Sequence, residues 1–335
     1  MIKVAISGFG RIGRNFLRCV LLDKESLKRL HIVAINIGPE KLNFTSHMFK
    51  YDTLMGTYPG IVKLEGNELI IDEYRIKIVA ETDAQKLPWK SLGIDWVVEC
   101  SGKYTKRSAA QHHLDAGAKR VLISAPAKDE DVSIIPGVND AMYNAQKHHI
   151  VSLGSCTTNA LLPMLEVLHH NFIIEQCMMT TIHSYTNSQV LLDVQAKDLR
   201  ESRAAALNII PTSTGVSQMV AKVIPSLSNI FQAISIRVPT AKVSLVDLTF
   251  NTKKELTVDL INTAFKNASE TTLKNILAVA HEPLVSCDFG GNPHSVIIDS
   301  LLTSITGKNM GKAFGWYDNE WGYSERLKDF LVTQG

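Results

Sequence analysis

The feature that most constrains this chain is a hexamer near its start, Gly8-Phe9-Gly10-Arg11-Ile12-Gly13. Glycines at that spacing serve places where backbone must turn sharply or approach another group closely. Before it, Ile2 to Ile6 is a short run rich in β-branched residues; after it, Ile12, Phe16, Val20 and Leu21 recur at helical spacing. The segment predicts strand, glycine turn, helix. In that setting Gly8 permits the turn, Gly10 lets backbone N–H groups reach a pyrophosphate, and Gly13 allows helix and strand to pack closely. The helix N-terminus adds partial positive charge. Gly8, Gly10, Arg11, Ile12 and Gly13 are therefore candidate dinucleotide contacts. The plain alternative is a packing turn with no ligand.

Strand and helix keep alternating downstream. His31 to Ile37 falls where a returning parallel strand belongs, and the apolar runs Trp96 to Glu99 and Arg120 to Ser124 bracket a helical segment, Ser108 to Ala118. This predicts a doubly wound parallel sheet, an α/β (Rossmann) domain over residues 1–154. Beyond it, Val243 to Phe250 alternates apolar and polar residues and Val296 to Thr303 is another apolar run, the marks of an α+β domain over 155–318 with an antiparallel or mixed sheet. Leu327, Phe330 and Leu331 lie at helical spacing, so a last helix within 319–335 is expected to pack back on the first domain.

Composition narrows the function classes. Of 335 residues, 45% are hydrophobic and 20% charged, which excludes a mainly disordered chain. Thirty-five basic against 33 acidic residues give a net charge of +2, too balanced for a dedicated nucleic-acid binder. Five scattered cysteines with no C-x-x-C pair suggest neither a disulfide framework nor a metal site. The first residues lack a signal-peptide layout and no apolar run could span a bilayer, so a soluble, unprocessed, cytoplasmic protein is expected.

A dinucleotide site of this kind ordinarily has an acidic residue at the tip of the second strand, bonded to the adenosine ribose. Here the strand ends Ala34-Ile35-Asn36-Ile37-Gly38, with no carboxylate; Glu40, three residues past Ile37, is a poorer substitute on a loop. With no acid at Ile37 the usual repulsion of a 2′-phosphate is missing, so NAD or NADP is expected, with NADP tolerated or preferred.

Cys156 follows Ser155 and precedes Leu161, Leu162, Leu165 and Leu168 at helical spacing. Ser155 is a natural N-cap, which places the thiol in the first helical turn, where the dipole favours the thiolate. A small buried hydrophobe is the bland alternative. His183 follows the run Met178 to Ile182, at an expected strand end. An imidazole beside a thiol can lower its pKa and then carry its proton. The pairs His112-His113, His148-His149 and His169-His170 lack the i, i+4 spacing of metal ligands on one helix face.

Seven ordered segments together resemble the phosphorylating glyceraldehyde-3-phosphate dehydrogenases: the glycine turn through Arg14, Lys50-Tyr51-Asp52, Ser155 to Asn159, Thr181-Ile182-His183, Arg203 to Gly215, Arg237-Val238-Pro239-Thr240 and Trp316 to Tyr323. The resemblance implies that Cys156 attacks an aldehyde, His183 removes the hydroxyl proton as hydride passes to nicotinamide, and inorganic phosphate cleaves the resulting thioester. It implies further that Thr186 and Arg237 hold the substrate phosphate and that Ser155, Thr157, Thr214 and Gly215 form a second anion site. By the same resemblance Asn319 fixes the nicotinamide carboxamide, Tyr323 packs near the ring, and Ser101, Gly102 and Ser124 lie along the cofactor. A cytoplasmic homotetramer acting in glycolysis or gluconeogenesis is implied likewise.

Several positions depart from that family's pattern. Glu201 stands where the family usually has Arg in the second anion site, and Ser188 where an Asp is common. Ala160 replaces a second Cys, Ile37 replaces the ribose-binding Asp, and Val194-Gln195 replaces a Leu-Pro pair that crowds the 2′ position from a neighbouring subunit. Glu201 and the Asn292-Pro293-His294-Ser295 segment motivate a runner-up, a sister activity on erythrose 4-phosphate in which water takes the acyl group. A third expectation, from another class, is an RNA- or protein-binding role with catalysis secondary.

Overall fold

The computed structural model describes residues 1–334. They form two compact units: residues 1–134, 141–154 and the chain from Ser324 onward make the first, and 135–140 with 155–323 make the second.

Among the described residues, nine strands build the first unit's sheet. Its middle is parallel: Ile2–Ser7 lies between Leu30–Asn36 and Trp96–Glu99, with Tyr74–Val79 beyond the former and Arg120–Ile123 and Ile150–Ser152 beyond the latter. Val4, Ala5, Ile6, Val97, Val98, Val121, Leu122 and Ile123 are all fully buried, as strands covered on both faces require. Sequence order departs from spatial order on either side of Ile2–Ser7, and in open α/β sheets ligands bind at such a switch point, outside the carboxyl ends of the strands. The predicted helix over Ser108 to Ala118 is Arg107–Asp115; it stops where Gly117 takes φ +99°.

The second unit's mixed sheet centres on Ile174–Ser184, parallel to Phe231–Val238 and antiparallel to Ser244–Thr252, which pairs in turn with Met310–Tyr317. Ser244–Thr252 alternates strictly, with Val246, Leu248 and Phe250 facing a core shared with Leu161, Met164, Leu165 and Leu168 of the helix Cys156–Phe172. The apolar run from Val296 is a strand only to Asp299; Leu301 and Leu302 are turned outward. Residues 135–140 belong to this unit because Ile135 is buried in its core. The last helix is Trp321–Gln334, and Lys328 within it bonds Asp23 at 3.1 Å inside the first unit.

Candidate active site

In the first unit the three glycines differ in the way their expected roles demand. Gly8 has φ +91°, and a Cβ there would fall 2.5 Å from the Ser101 nitrogen. A Cβ on Gly13 would fall 2.3 Å from the Gly8 carbonyl oxygen, whereas one on Gly10 would meet nothing within 4 Å. Gly10 is the N-cap of the helix Arg11–Leu22 and makes no side-chain cap, so the first-turn N–H groups of that helix are not closed off by a capping side chain. They open on a groove of about 290 Å³ whose wall includes Gly8, Gly10, Ile37 and Ser101. The Arg11 guanidinium pairs with Asp52. Gly102 has φ +71° beside Ser101, and the Ser124 hydroxyl donates to the Glu99 carbonyl (2.9 Å), so Ser124 serves the sheet rather than the groove wall.

The groove also holds two carboxylates, Glu40 and Glu81, and a cation, Lys103. Glu81 has no signal in the local sequence around Ile37. It arrives because Tyr74–Val79 pairs with Leu30–Asn36, and the Asn36 side chain binds the Glu81 backbone through both its carbonyl and its amide group (3.1 and 3.0 Å).

In the second unit, Ser155 caps the helix that starts at Cys156. Its hydroxyl accepts from the Thr158 N–H at 3.2 Å while the Thr158 hydroxyl accepts from the Ser155 N–H at 2.7 Å, a reciprocal capping box. His183 is the penultimate residue of Ile174–Ser184, and its Nε2 lies 3.6 Å from the Cys156 sulfur. Its Nδ1 lies 2.7 Å from the Ser184 carbonyl oxygen, which can only accept. The ring proton is therefore on Nδ1, and Nε2 turns its lone pair to the sulfur.

Electrostatics corrects one expectation. Spacing alone has the helix N-terminus keep the thiol ionised, but burial pushes the Cys156 thiol above its ordinary range, only partly offset by the Arg237 charge and by hydrogen bonds from Thr157. Burial, then the same Arg237 charge, lowers His183 to about 3, against a small opposing effect of its bond to Ser184. Burial disfavours a charge on either group alone, whereas moving the proton from sulfur to Nε2 charges both at once, in contact, without changing the net charge.

Arg237 is brought to this pair by register, since Phe231–Val238 places it directly beside His183. Its Nε and Nη1 are buried and have no hydrogen-bond partner among the described residues. Uncompensated buried guanidinium donors are costly, and an anionic ligand would satisfy them. In the loop after Ile174–Ser184 the Thr186 hydroxyl meets Ser188 at 3.0 Å, and the Thr186 N–H donates to the Gln189 side-chain carbonyl at 2.7 Å, leaving the buried Gln189 amide nitrogen without a partner among the described residues. Gln189 is not singled out by the sequence, and only the Thr186 turn brings it in.

The residues around the pair are tied down. The buried Tyr317 hydroxyl bonds Thr181 (2.8 Å) and Thr157 (3.1 Å), and its ring stands edge-on to His183. Ser184 bonds His183 through its carbonyl and donates its hydroxyl to Asn319 Oδ1 at 2.8 Å, so the Asn319 amide is oriented with Nδ2 left to donate. Tyr323 is buried in the last helix.

Sequence comparisons point to one family. The model of the glyceraldehyde 3-phosphate dehydrogenase NAD binding domain matches residues 2–107, and that of the C-terminal domain of the same family matches 155–319. The chain belongs to the glyceraldehyde-3-phosphate dehydrogenase family. It is 48% identical to glyceraldehyde-3-phosphate dehydrogenase 1 of Bacillus cereus, with both chains fully covered. It is 47% identical to glyceraldehyde-3-phosphate dehydrogenase of Geobacillus stearothermophilus over all of this chain and 99% of the relative. It is also 48% identical to the chloroplastic form B of Pisum sativum, over 98% of this chain and 73% of the relative.

Within that family frame the departures acquire positions. Glu201 accepts a hydrogen bond from the Thr212 hydroxyl at 3.1 Å, two residues before Thr214, and Gly215 stands at the N-cap of the helix Val216–Val223. Arg203 does not swing in to replace the missing cation; its Nε is held by Asp193 at 2.6 Å.

Proposed function

We propose that this chain oxidises glyceraldehyde 3-phosphate through a covalent cysteine intermediate, and the 3.6 Å Cys156–His183 contact carries that reading. The Cys156 sulfur adds to the aldehyde carbon as its proton passes to His183 Nε2 and from there to the carbonyl oxygen, which becomes the hydroxyl of the adduct; Nε2, neutral again, then takes that hydroxyl proton as hydride departs. Arg237, with Thr186, holds the substrate phosphate, and Gln189 adds a third donor. Gly8, Gly10, Arg11, Ile12 and Gly13 would seat the pyrophosphate of NAD or NADP, with Ile37, Ser101 and Gly102 flanking it and Ser124 holding the sheet beneath; by the family resemblance Asn319 and Tyr323 would serve the nicotinamide. When bound, the nicotinamide supplies the hydride acceptor. Loss of hydride leaves a thioester on Cys156, which inorganic phosphate cleaves at a site formed by Ser155, Thr157, Thr214 and Gly215.

Cofactor choice is relaxed in this reading: neutral Ile37 does not repel a 2′-phosphate, while Glu40 and Glu81 keep the groove from being a strict NADP site. Exposed Leu191, Leu192, Val194, Leu199, Leu207 and Ile209 favour burial against copies of the chain, in keeping with a cytoplasmic homotetramer. No helix among the described residues is long and apolar enough to cross a membrane.

Glu201 favours a second reading, in which water rather than phosphate takes the acyl group, as for an erythrose 4-phosphate oxidising sister enzyme. A steady-state assay crossing both aldehydes, both cofactors and phosphate present or absent decides. Turnover of glyceraldehyde 3-phosphate that requires phosphate supports the first reading, and phosphate-independent turnover of erythrose 4-phosphate replaces it with the second.

A further inference from the structure

Behind the groove wall lies a buried polar chain that the proposed reaction does not use. Glu99 ends its strand only 1% exposed, and His113 and Trp89 are fully buried. The Trp89 indole N–H donates to His113 Nδ1 at 3.1 Å, and His113 Nε2 lies 3.0 Å from Glu99 Oε2. Glu99 Oε1 accepts from the Ser101 N–H at 2.7 Å and from the Ser101 hydroxyl. The Ser101 oxygen accepts in turn from the Lys103 N–H at 3.1 Å. An indole can only donate, so His113 Nδ1 must accept, and the ring proton is fixed on Nε2, pointing at Glu99.

A carboxyl group is a costly filling for such a space, where an apolar side chain would pack without desolvation. What an apolar side chain could not do is hold the N–H and the hydroxyl of Ser101 at once. Ser101 begins the turn that forms one wall of the groove with Lys103 and Tyr104, and its backbone meets Gly8 so closely that no Cβ fits between them. We propose that Glu99 is a positioning residue for nucleotide binding, that His113 supports it, and that Trp89 sets the direction of the relay by fixing the His113 proton. The proposal rests on the reading of the groove as a dinucleotide site.

Calorimetric titration with NAD, alongside thermal unfolding and the rate of Cys156 alkylation by iodoacetamide, tests it. In Glu99→Gln one amide hydrogen must face either the His113 proton or the Ser101 N–H, so the Kd for NAD rises about tenfold. Charge alone predicts the opposite, because removing an acidic group near a pyrophosphate tightens binding. Alkylation of Cys156 stays within about twofold. Adding Trp89→Phe to that variant frees Nδ1 to take the ring proton, so Nε2 accepts from the substituted amide and the Kd returns to within about threefold of wild type while Tm remains low. Trp89→Phe alone lowers Tm but leaves the Kd within about twofold. Should Glu99→Gln not fold, Ser101→Ala removes one arm of the clamp and raises the Kd about threefold. A Glu99→Gln protein that binds NAD as tightly as wild type, a double variant with no recovery, or an unchanged Kd in Ser101→Ala overturns the relay. Wild-type protein that fails to bind NAD removes the reading of the groove itself, and the relay with it.

Discussion

The helix beginning at Arg11 and the helix beginning at Cys156 both point their N-termini at a candidate site, yet only the second is closed by its own side chains. Gly10 makes no side-chain cap and a Cβ on it would meet nothing, whereas Ser155 and Thr158 bond each other reciprocally. An uncapped first turn leaves N–H groups for an anionic ligand; a capped one has already satisfied part of that need. At Cys156 burial of the sulfur is only partly offset by the Arg237 charge and by the first-turn N–H groups of Cys156 and Thr157, and ionisation there falls to a proton acceptor, His183. The same backbone device thus binds at one place and only assists at the other.

The largest break between the two termini comes from removing the sulfur. Cys156→Ser lowers aldehyde-dependent nicotinamide reduction by about a thousandfold or more while NAD affinity at the groove stays within about twofold. Parental turnover in that variant would end the covalent reading and leave the groove reading standing.

Next is the acceptor. His183→Asn lowers iodoacetamide alkylation of Cys156 at neutral pH by about tenfold to a hundredfold and moves the rise of the rate to higher pH, because a lone thiolate must then bear the burial penalty unaided. An unchanged alkylation profile would return ionisation to the helix dipole. Stability carries a second signature. His183 is held at about 3 in the folded chain against roughly 6.5 unfolded, so between those values the unfolded state binds a proton that the folded state refuses. That contribution is full above pH 6.5 and is lost as pH falls towards 3, and the Asn variant, measured by denaturant unfolding, shows a weaker loss over the same window.

How much of this is legible in the sequence follows from what each feature depends on. The glycine turn and the Ser155 cap are local backbone problems with few solutions, and His183 at the end of its strand follows from one apolar run. Arg237 beside His183 needs the strand register, and Glu81 beside Ile37 needs the pairing of two strands separated by some forty residues of chain. The protonation of Cys156 escapes because spacing reports the helix terminus but not the burial that opposes it. Residues 135–140 escape assignment to the second unit because packing of Ile135 and Val138 into its core, not a composition change, attaches them there.

A smaller effect is expected at the second anion site. Glu201→Arg replaces the carboxylate on Thr212 with a cation and lowers the KM for phosphate by about threefold to tenfold, with little change in the KM for the aldehyde. A flat phosphate response would mean that the Glu201 carboxylate lies off the path of the incoming anion.

The smallest effect sharpens the first terminus. Ile37 is 3% exposed and its N–H donates to the Val79 carbonyl at 2.8 Å, so an Asp there is desolvated unless ribose hydroxyls bond it. Ile37→Asp therefore costs stability in the free protein, recovers part of it with NAD, and shifts the ratio of kcat/KM values towards NAD by about threefold, through like-charge repulsion of the 2′-phosphate. Glu81→Gln changes charge just past the neighbouring strand Tyr74–Val79 and shifts the ratio the other way by a similar factor, about threefold. If the ratio moves in Glu81→Gln but not in Ile37→Asp, cofactor discrimination resides in a residue that the local sequence around Ile37 does not reveal. If only Ile37→Asp moves it, the tip of the second strand governs the choice even where nature has left it apolar.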